Sequence, residues 1–233
     1  MRLRLRLLNW FNQHDGWFRL LLFSTSLVPA TLLVFDFHQQ RLGFNPFEAL
    51  IARTGFWAMV FLLLTLAITP LRRWLGWVCK KLNALYGKRL ADWNFLIKSR
   101  RMLGLFSFFY LSWHLGIYLH LELDWHWDWF WEDLLNRPFL PIGLAAWAIS
   151  LLLTITSPMR VRRKMGKQWR RLHRLMYALC VLAVIHVLME AKITETLPVL
   201  YACIALVLLA HRIITKFFKE FYRPDDTGLE AKR

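Results

Sequence analysis

The stretch that decides the fold class is KQWRRLHRLMYALCVLAVIHVLMEA, residues 167–191. It begins with a basic collar of Lys167, Arg170 and Arg171 and continues into an almost purely apolar run at 175–189. A helix rises about 1.5 Å per residue, so this stretch is long enough to cross a hydrocarbon layer about 30 Å thick. An apolar run this long predicts a membrane-spanning helix.

The composition of the whole chain agrees with this prediction. Of 233 residues, 57% are hydrophobic, and the chain contains 13 Trp and 18 Phe. The apolar residues form long blocks, whereas those of a soluble domain are dispersed in short periodic stripes. The net charge of +16 does not favour nucleic-acid binding, because the basic residues collect between the apolar blocks without interleaved stacking aromatics. That placement is typical of a membrane protein whose basic segments contact anionic lipids.

The apolar blocks predict an all-α integral membrane protein, a bundle of six transmembrane helices. The expected spans are about 18–35, 54–69, 102–120, 138–156, 167–191 and 198–215. Pro70 lies just after the second span and is expected to stop its helix. The segment 71–101 is basic and is expected to be cytoplasmic. Its middle part, WLGWVCKKLNALYGKRL at 74–90, mixes Trp, Leu and Lys and is expected to lie along the membrane surface as an amphipathic helix.

Charge alternates between the connecting segments and predicts the orientation. Residues 1–17, 71–101 and 158–171 are basic, whereas the Trp-rich link 121–137 is acidic. Basic loops stay on the cytoplasmic side, so both termini are expected to be cytoplasmic. The transmembrane domain at 18–215 is then followed by a cytoplasmic tail, 216–233.

Of the five histidines within the predicted spans, three are the main candidates, namely His114 on the third and His173 and His186 on the fifth. An ionisable ring inside a lipid-spanning helix is expensive and is therefore a functional candidate. His114 follows Arg101 by 13 residues and His186 follows Arg171 by 15, so the two rings rise about 20 and 22 Å from the basic collars. Two imidazoles at matching depth on different helices suit the axial positions of one haem. The alternative is that each ring only donates to a backbone carbonyl.

His173 lies only two residues after Arg171, near the predicted cytoplasmic edge. It is a candidate ligand of a second haem, or a contact for a quinone or flavin headgroup, although an interfacial histidine needs no special role. On an ideal helix at ~100° per residue it does not share a face with His186. His211 on the sixth span is a weaker alternative ligand. The candidate partners for haem propionates or a flavin phosphate are Arg100, Arg101, Arg170 and Arg171.

A resemblance to a known family rests on the runs KSRRMLGLFSFFYLSWHL, NRPFLPIGLAAWAISLLLTITS and GKQWRRLHRLMYALCVLAVIH. They resemble the haem-binding membrane subunits of bacterial periplasmic methionine sulfoxide reductase systems, the MsrQ or YedZ family, within the ferric-reductase-like transmembrane group. The most specific feature is one histidine on the third span with two histidines thirteen residues apart on the fifth. Carried over by position, the resemblance makes His114, His173 and His186 the haem-binding residues and iron ligands.

The resemblance also implies the cofactors, partners and location. It implies one or two b-type haems, FMN, and electrons taken from the quinone pool or a cytoplasmic flavin reductase. It further implies delivery to a periplasmic molybdopterin subunit that reduces methionine sulfoxide, and a place in the bacterial inner membrane. The sequence has no strand–GxGxxG–helix unit for a dinucleotide. The chain is therefore expected to be an electron-transfer subunit and not a stand-alone catalyst.

Other functions stay open at this point. A proton-coupled transporter could use the histidines as relays, although the spans carry almost no Asp or Glu and no paired broken half-helices. A quinol-linked cytochrome b subunit with a different partner is a second alternative. A third is a non-redox assembly subunit in which all the histidines are dispensable.

Overall fold

A computed structural model describes residues 15–84, 87–191 and 196–221. These residues form helices and no strand. The helices are α1 (Asp15–His38), α2 (Pro46–Lys81), α3 (Asn94–Ile117), α4 (Trp127–Asn136), α5 (Phe139–Ile155), α6 (Met159–Met165), α7 (Lys167–Leu172), α8 (Leu175–Glu190) and α9 (Leu197–Phe221). A 3-10 turn at Leu90–Trp93 precedes α3, and a π-helical turn at Tyr118–Glu122 follows it. The predicted segments 1–17 and 216–233 lie mostly outside the described residues.

The described helices include five that are long and apolar enough to cross a membrane, with α7 and α8 counted together. A sixth span results if α4 and α5, which meet at 111°, count as one bent element. With 17 residues, α5 alone is at the lower limit for a span. The prediction of an all-α, multi-pass membrane protein is confirmed. The orientation of its termini stays a prediction.

The helices pack around two large buried clusters and a smaller third one. α2 packs along α3, and α5 packs along α8, while α9 contacts α2 and α8. The first cluster is centred on Leu66 and Cys180, and the second on Tyr110, all fully buried. In lipid, close packing and interhelical hydrogen bonds hold such contacts, because the surrounding acyl chains are as apolar as leucine. The packing fixes α3 and α8, which carry the candidate histidines, against α2 and α5.

The prediction that Pro70 stops the second helix is wrong. α2 continues through Pro70 to Lys81 over 36 residues. Proline has no N–H, so the carbonyl of Leu66, four residues earlier, loses its helical partner. The side chain of Arg212 donates to that carbonyl instead, and this tertiary contact lets the helix run on.

The prediction of an amphipathic surface helix over residues 74–90 is also wrong. Residues 71–81 extend α2, and the 3-10 turn Leu90–Trp93 leads into α3. The Asp92 carboxylate accepts hydrogen bonds from the N–H groups of Gly87 and Arg89. These local polar contacts favour a turn over an extended amphipathic helix.

The fifth span is interrupted. α7 ends at Leu172 and α8 begins at Leu175. Across the break, the N–H groups of Arg174 and Tyr177 bond to carbonyls three residues earlier, which is the tighter 3-10 pattern. The angle that an ideal helix would give between His173 and His186 therefore does not apply.

The Trp-rich link contains α4. The side chains of Trp127, Trp129 and Trp131 are all more than half exposed, as expected for an aromatic belt at a membrane interface. Tyr118 donates to the Asp133 carboxylate at 2.7 Å, and this bond ties α4 to the π-helical turn after α3.

Candidate functional site

His114 of α3 and His186 of α8 face each other. Their ring centroids lie 6.3 Å apart, and the ring planes are nearly perpendicular at 89°. Metal–imidazole bonds are about 2.0–2.1 Å long, so two rings on opposite sides of one metal have centroids about 6 Å apart. The observed separation is therefore compatible with two axial ligands of a single metal.

Each of these rings has one nitrogen held by a backbone carbonyl. The Nδ1 atom of His114 lies 3.0 Å from the carbonyl oxygen of Ile51, and that of His186 lies 2.9 Å from the oxygen of Phe139. A carbonyl only accepts, so each Nδ1 carries the proton and each Nε2 keeps its lone pair. Metal-ligating histidines commonly fix their tautomer and orientation in this way.

The alternative, in which each ring only donates to a backbone carbonyl, explains the two Nδ1 atoms but not the two Nε2 atoms. Neither Nε2 makes a hydrogen bond within the described ranges. Two nitrogen lone pairs thus remain available to a ligand.

The donor set fits haem better than a bare metal ion. Among the residues that the structure describes, no group of three or more His, Cys, Asp or Glu side chains could hold a metal ion. A bare ion takes three or four protein ligands. Haem supplies its own equatorial nitrogens and needs only axial ligands from the protein, which the two imidazoles can provide.

His173 lies apart from this pair, at the break between α7 and α8. Its Nδ1 is 3.2 Å from the carbonyl oxygen of Trp169, and its ring stacks on the Trp169 indole with centroids 3.8 Å apart. Arg162 also lies over that indole, 4.7 Å from its centroid. No other histidine of the described chain contacts His173. The structure therefore brings together His114 and His186 but not His173.

Comparison with known proteins identifies the family. Residues 54–184 match the ferric reductase like transmembrane component family. The chain is 39% identical over 204 residues to the protein-methionine-sulfoxide reductase heme-binding subunit MsrQ of Xanthomonas euvesicatoria, which covers 84% of this chain and 85% of the relative. It is 36% identical over 212 residues to the MsrQ subunit of Pectobacterium carotovorum, covering 91% of this chain and 98% of the relative. This chain belongs to the MsrQ family.

Membership confirms the resemblance that was drawn from the histidine pattern and the three sequence runs. It also confirms the ferric-reductase-like membrane class. A further relative from Herminiimonas arsenicoxydans, 36% identical over 196 residues, carries the same MsrQ name. Because the matches extend over more than four-fifths of both chains, the resemblance covers most of the bundle and not one helix.

Arg100 and Arg212 form a cationic group in this MsrQ family member, and the charge of Arg100 also acts on His173. Arg212 of α9 donates to the Tyr177 hydroxyl at 2.8 Å and lies 5.3 Å from the centre of that ring. Arg100 of α3 is half-buried and close enough to Arg212 for the two guanidinium charges to repel. No acidic side chain in the described ranges pairs with either of them. The group is therefore suited to an anion.

Sequence reasoning named Arg100 but missed Arg212. The other three arginines predicted as partners for cofactor carboxylates or phosphates are exposed: Arg101, Arg170 and Arg171. In sequence, Arg212 stands beside His211 and resembles an ordinary interfacial residue. The one available signal was Pro70. A proline within a helix leaves the carbonyl four residues earlier, here that of Leu66, without its N–H donor, but the sequence does not indicate which side chain replaces it.

His211, the weaker alternative ligand, contacts neither His173 nor the facing pair. Its Nδ1 is buried and makes no hydrogen bond to the described chain. The ring lines a lipid-side groove of about 510 Å³ beside Pro70, Trp74 and Trp77. Among the residues that the structure describes, no second imidazole lies where it could share a metal with His211.

Proposed function

We propose that this chain is the haem-carrying, transmembrane electron-transfer subunit of a methionine sulfoxide reductase system. The MsrQ relatives are named as heme-binding subunits of such a reductase. The observation that carries the proposal is the facing pair of His114 and His186, with centroids 6.3 Å apart. Their protonated Nδ1 atoms are held by carbonyls of two other helices.

In this proposal, His114 and His186 would hold one b-type haem through the Nε2 atoms of their rings. When bound, the haem supplies reversible one-electron chemistry at its iron. The carbonyls of Ile51 and Phe139 hold the rings with their Nε2 atoms turned away from the backbone, and thereby raise the basicity of the ligating nitrogens. The surrounding apolar bundle excludes water and so influences the reduction potential.

His173 is proposed as a ligand or contact of a second cofactor near the opposite membrane surface. Arg100 and Arg212 are cations without an acidic partner in the described chain. Guanidinium groups suit carboxylates and phosphates, so the region suits the propionates of a second haem or the phosphate of FMN. The stacking of His173 on Trp169 would have to change for its ring to reach an iron.

The proposed direction of electron transfer follows from the distribution of charge. With both termini in the cytoplasm, His173 lies toward the cytoplasmic side of the inner membrane, and the facing pair lies toward the periplasm. Electrons would enter from quinol or a cytoplasmic flavin reductase. They would leave to a periplasmic molybdopterin subunit that reduces methionine sulfoxide. The acidic, Trp-rich region around α4 would face that partner.

The test is a reduced-minus-oxidised optical spectrum of the purified full chain, with haem and flavin quantified. We expect a b-type haem spectrum. The part of it that comes from the haem held by His114 and His186 should be lost in His114→Ala and in His186→Ala. His120→Ala is a matched control, because His120 lies in the interfacial region and its Nδ1 accepts from Trp125. A colourless wild-type protein that supports substrate-dependent proton flux would instead establish the transporter alternative.

A further inference from the structure

We infer that Gly55 of α2 and Gly143 of α5 are positioning residues that set the His114 and His186 rings for iron ligation. The inference rests on the proposed haem ligation by this pair. It assigns the orientation of the ligands to two glycines on helices that carry no ligand themselves.

The closer contact is at Gly143. A Cβ atom placed on Gly143 would lie 2.7 Å from both Nδ1 and Cε1 of His186. Favourable non-bonded contacts lie near 3.5–4.0 Å, so any side chain at this position would displace the ring. The Nδ1 atom of the same ring bonds to the carbonyl of Phe139, four residues before Gly143 on α5. The imidazole thus lies against a turn of α5 at which Phe139 offers its carbonyl and Gly143 has no side chain.

The same arrangement recurs at the facing ring. A Cβ atom on Gly55 would lie 3.3 Å from Nδ1 and Cε1 of His114. The Nδ1 atom of His114 bonds to the carbonyl of Ile51, again four residues before the glycine. In a helix, the carbonyl of residue n−4 lies beside the N–H of residue n. A ring from a neighbouring helix can therefore reach that carbonyl only where residue n has no bulky side chain.

An alanine at either position would disturb the ligand more than the fold. The imidazole is the end of a side chain with two rotatable bonds, so it can turn away while the helices stay in place. Turning breaks the Nδ1 hydrogen bond that fixes the tautomer and changes the separation of the two rings. An alanine therefore weakens iron ligation more than it weakens the fold. The effect is larger at Gly143 than at Gly55, because the contact with the ring is closer there.

Two other glycines provide matched controls on α3, the helix that carries His114. A Cβ atom on Gly116 would have no atom within 4 Å, and one on Gly104 would make an ordinary contact with Thr65 at 3.8 Å. Gly116→Ala and Gly104→Ala make the same chemical change in the same apolar surroundings. They leave both ring contacts intact.

The experiment compares four single variants with the wild type: Gly143→Ala, Gly55→Ala, Gly104→Ala and Gly116→Ala. Each full chain is purified in lipid nanodiscs. Low-spin haem is measured by electron paramagnetic resonance, carbon monoxide binding by the optical spectrum of the reduced protein, and the midpoint potential by redox titration. The melting temperature of the haem-depleted chains reports folding independently of the iron.

We expect Gly143→Ala to lose the low-spin bis-imidazole signal and to bind carbon monoxide, because one axial position opens. Gly55→Ala should keep both ligands, with a shifted signal and midpoint potential. The two controls should match the wild type, and all haem-depleted chains should melt alike. A wild-type signal and potential in both Gly143→Ala and Gly55→Ala would overturn the inference, even if His186→Ala removes the haem as proposed. An equal shift in Gly116→Ala would also overturn it. If Gly143→Ala does not fold, Gly55→Ala decides.

Discussion

The Nη2 atom of Arg212 donates a hydrogen bond to the carbonyl oxygen of Leu66 at 2.8 Å. In an uninterrupted helix this carbonyl accepts the N–H of residue 70, which here is a proline. Leu66 is fully buried, and a buried carbonyl without a partner costs about 1–3 kcal/mol. A side chain 146 residues away in sequence therefore replaces the missing bond.

We expect Arg212→Met to lower the free energy of unfolding by about 1–3 kcal/mol, because the Leu66 carbonyl loses its donor. In a Pro70→Ala background the same substitution should cost less, since the alanine N–H restores the helical bond. A double-mutant cycle in detergent, followed by equilibrium unfolding, measures the coupling. An equal loss of unfolding free energy in both backgrounds would show that the Arg212 guanidinium does not replace the helical hydrogen bond that Pro70 removes.

A second prediction concerns Tyr110, whose hydroxyl is inserted into α1. It donates to the carbonyl of Ser26 at 2.8 Å and accepts from the N–H of Ala30 at 3.0 Å, next to Pro29. In a regular helix these two backbone groups would bond to each other. We expect Tyr110→Phe to lower the free energy of unfolding by about 1–3 kcal/mol.

Tyr201→Phe is the matched control for Tyr110→Phe. Tyr201 is also buried, but its hydroxyl makes no hydrogen bond to the described residues. Removal of that hydroxyl should leave the unfolding midpoint nearly unchanged. Equal losses in the two variants would contradict a bridging role for the Tyr110 hydroxyl.

A third prediction separates His173 from the facing pair. His173→Ala should retain the low-spin haem held by His114 and His186, because His173 lies at the break between α7 and α8 and contacts neither ring. Haem-to-protein ratios and low-temperature optical spectra of the variant check this. Complete loss of haem in His173→Ala, with the protein still folded, would contradict it.

A fourth prediction concerns orientation. Residues 158–171 carry seven Lys and Arg and no acid, so this segment is expected in the cytoplasm. Alkaline phosphatase fused after Leu134 should be active, because the Trp-rich region is then periplasmic. The same enzyme fused after Met165 should be inactive, and a fluorescent protein in its place should fluoresce. The reverse pattern would invert the proposed direction of electron transfer.

Sequence analysis predicted the two imidazoles that the structure brings together, but not the groups that hold them. The histidines stood out because an imidazole in a span is expensive, and matched depth on two helices paired His114 with His186. The carbonyls that hold them were not predictable, since Ile51 and Phe139 are ordinary apolar residues in sequence. Arg212 was missed for the same kind of reason, because its partner is a backbone group on another helix.

The sequence by itself determined the all-α membrane class, the approximate place of the apolar helices, and the two imidazoles that face each other. These depend on the length of apolar runs and on charge, which act locally between each segment and the bilayer. Only the tertiary structure decided that α2 runs past Pro70, that the fifth span breaks at His173, and which turns receive the two imidazoles. Those outcomes depend on hydrogen bonds between helices distant in sequence, and local composition does not encode such contacts.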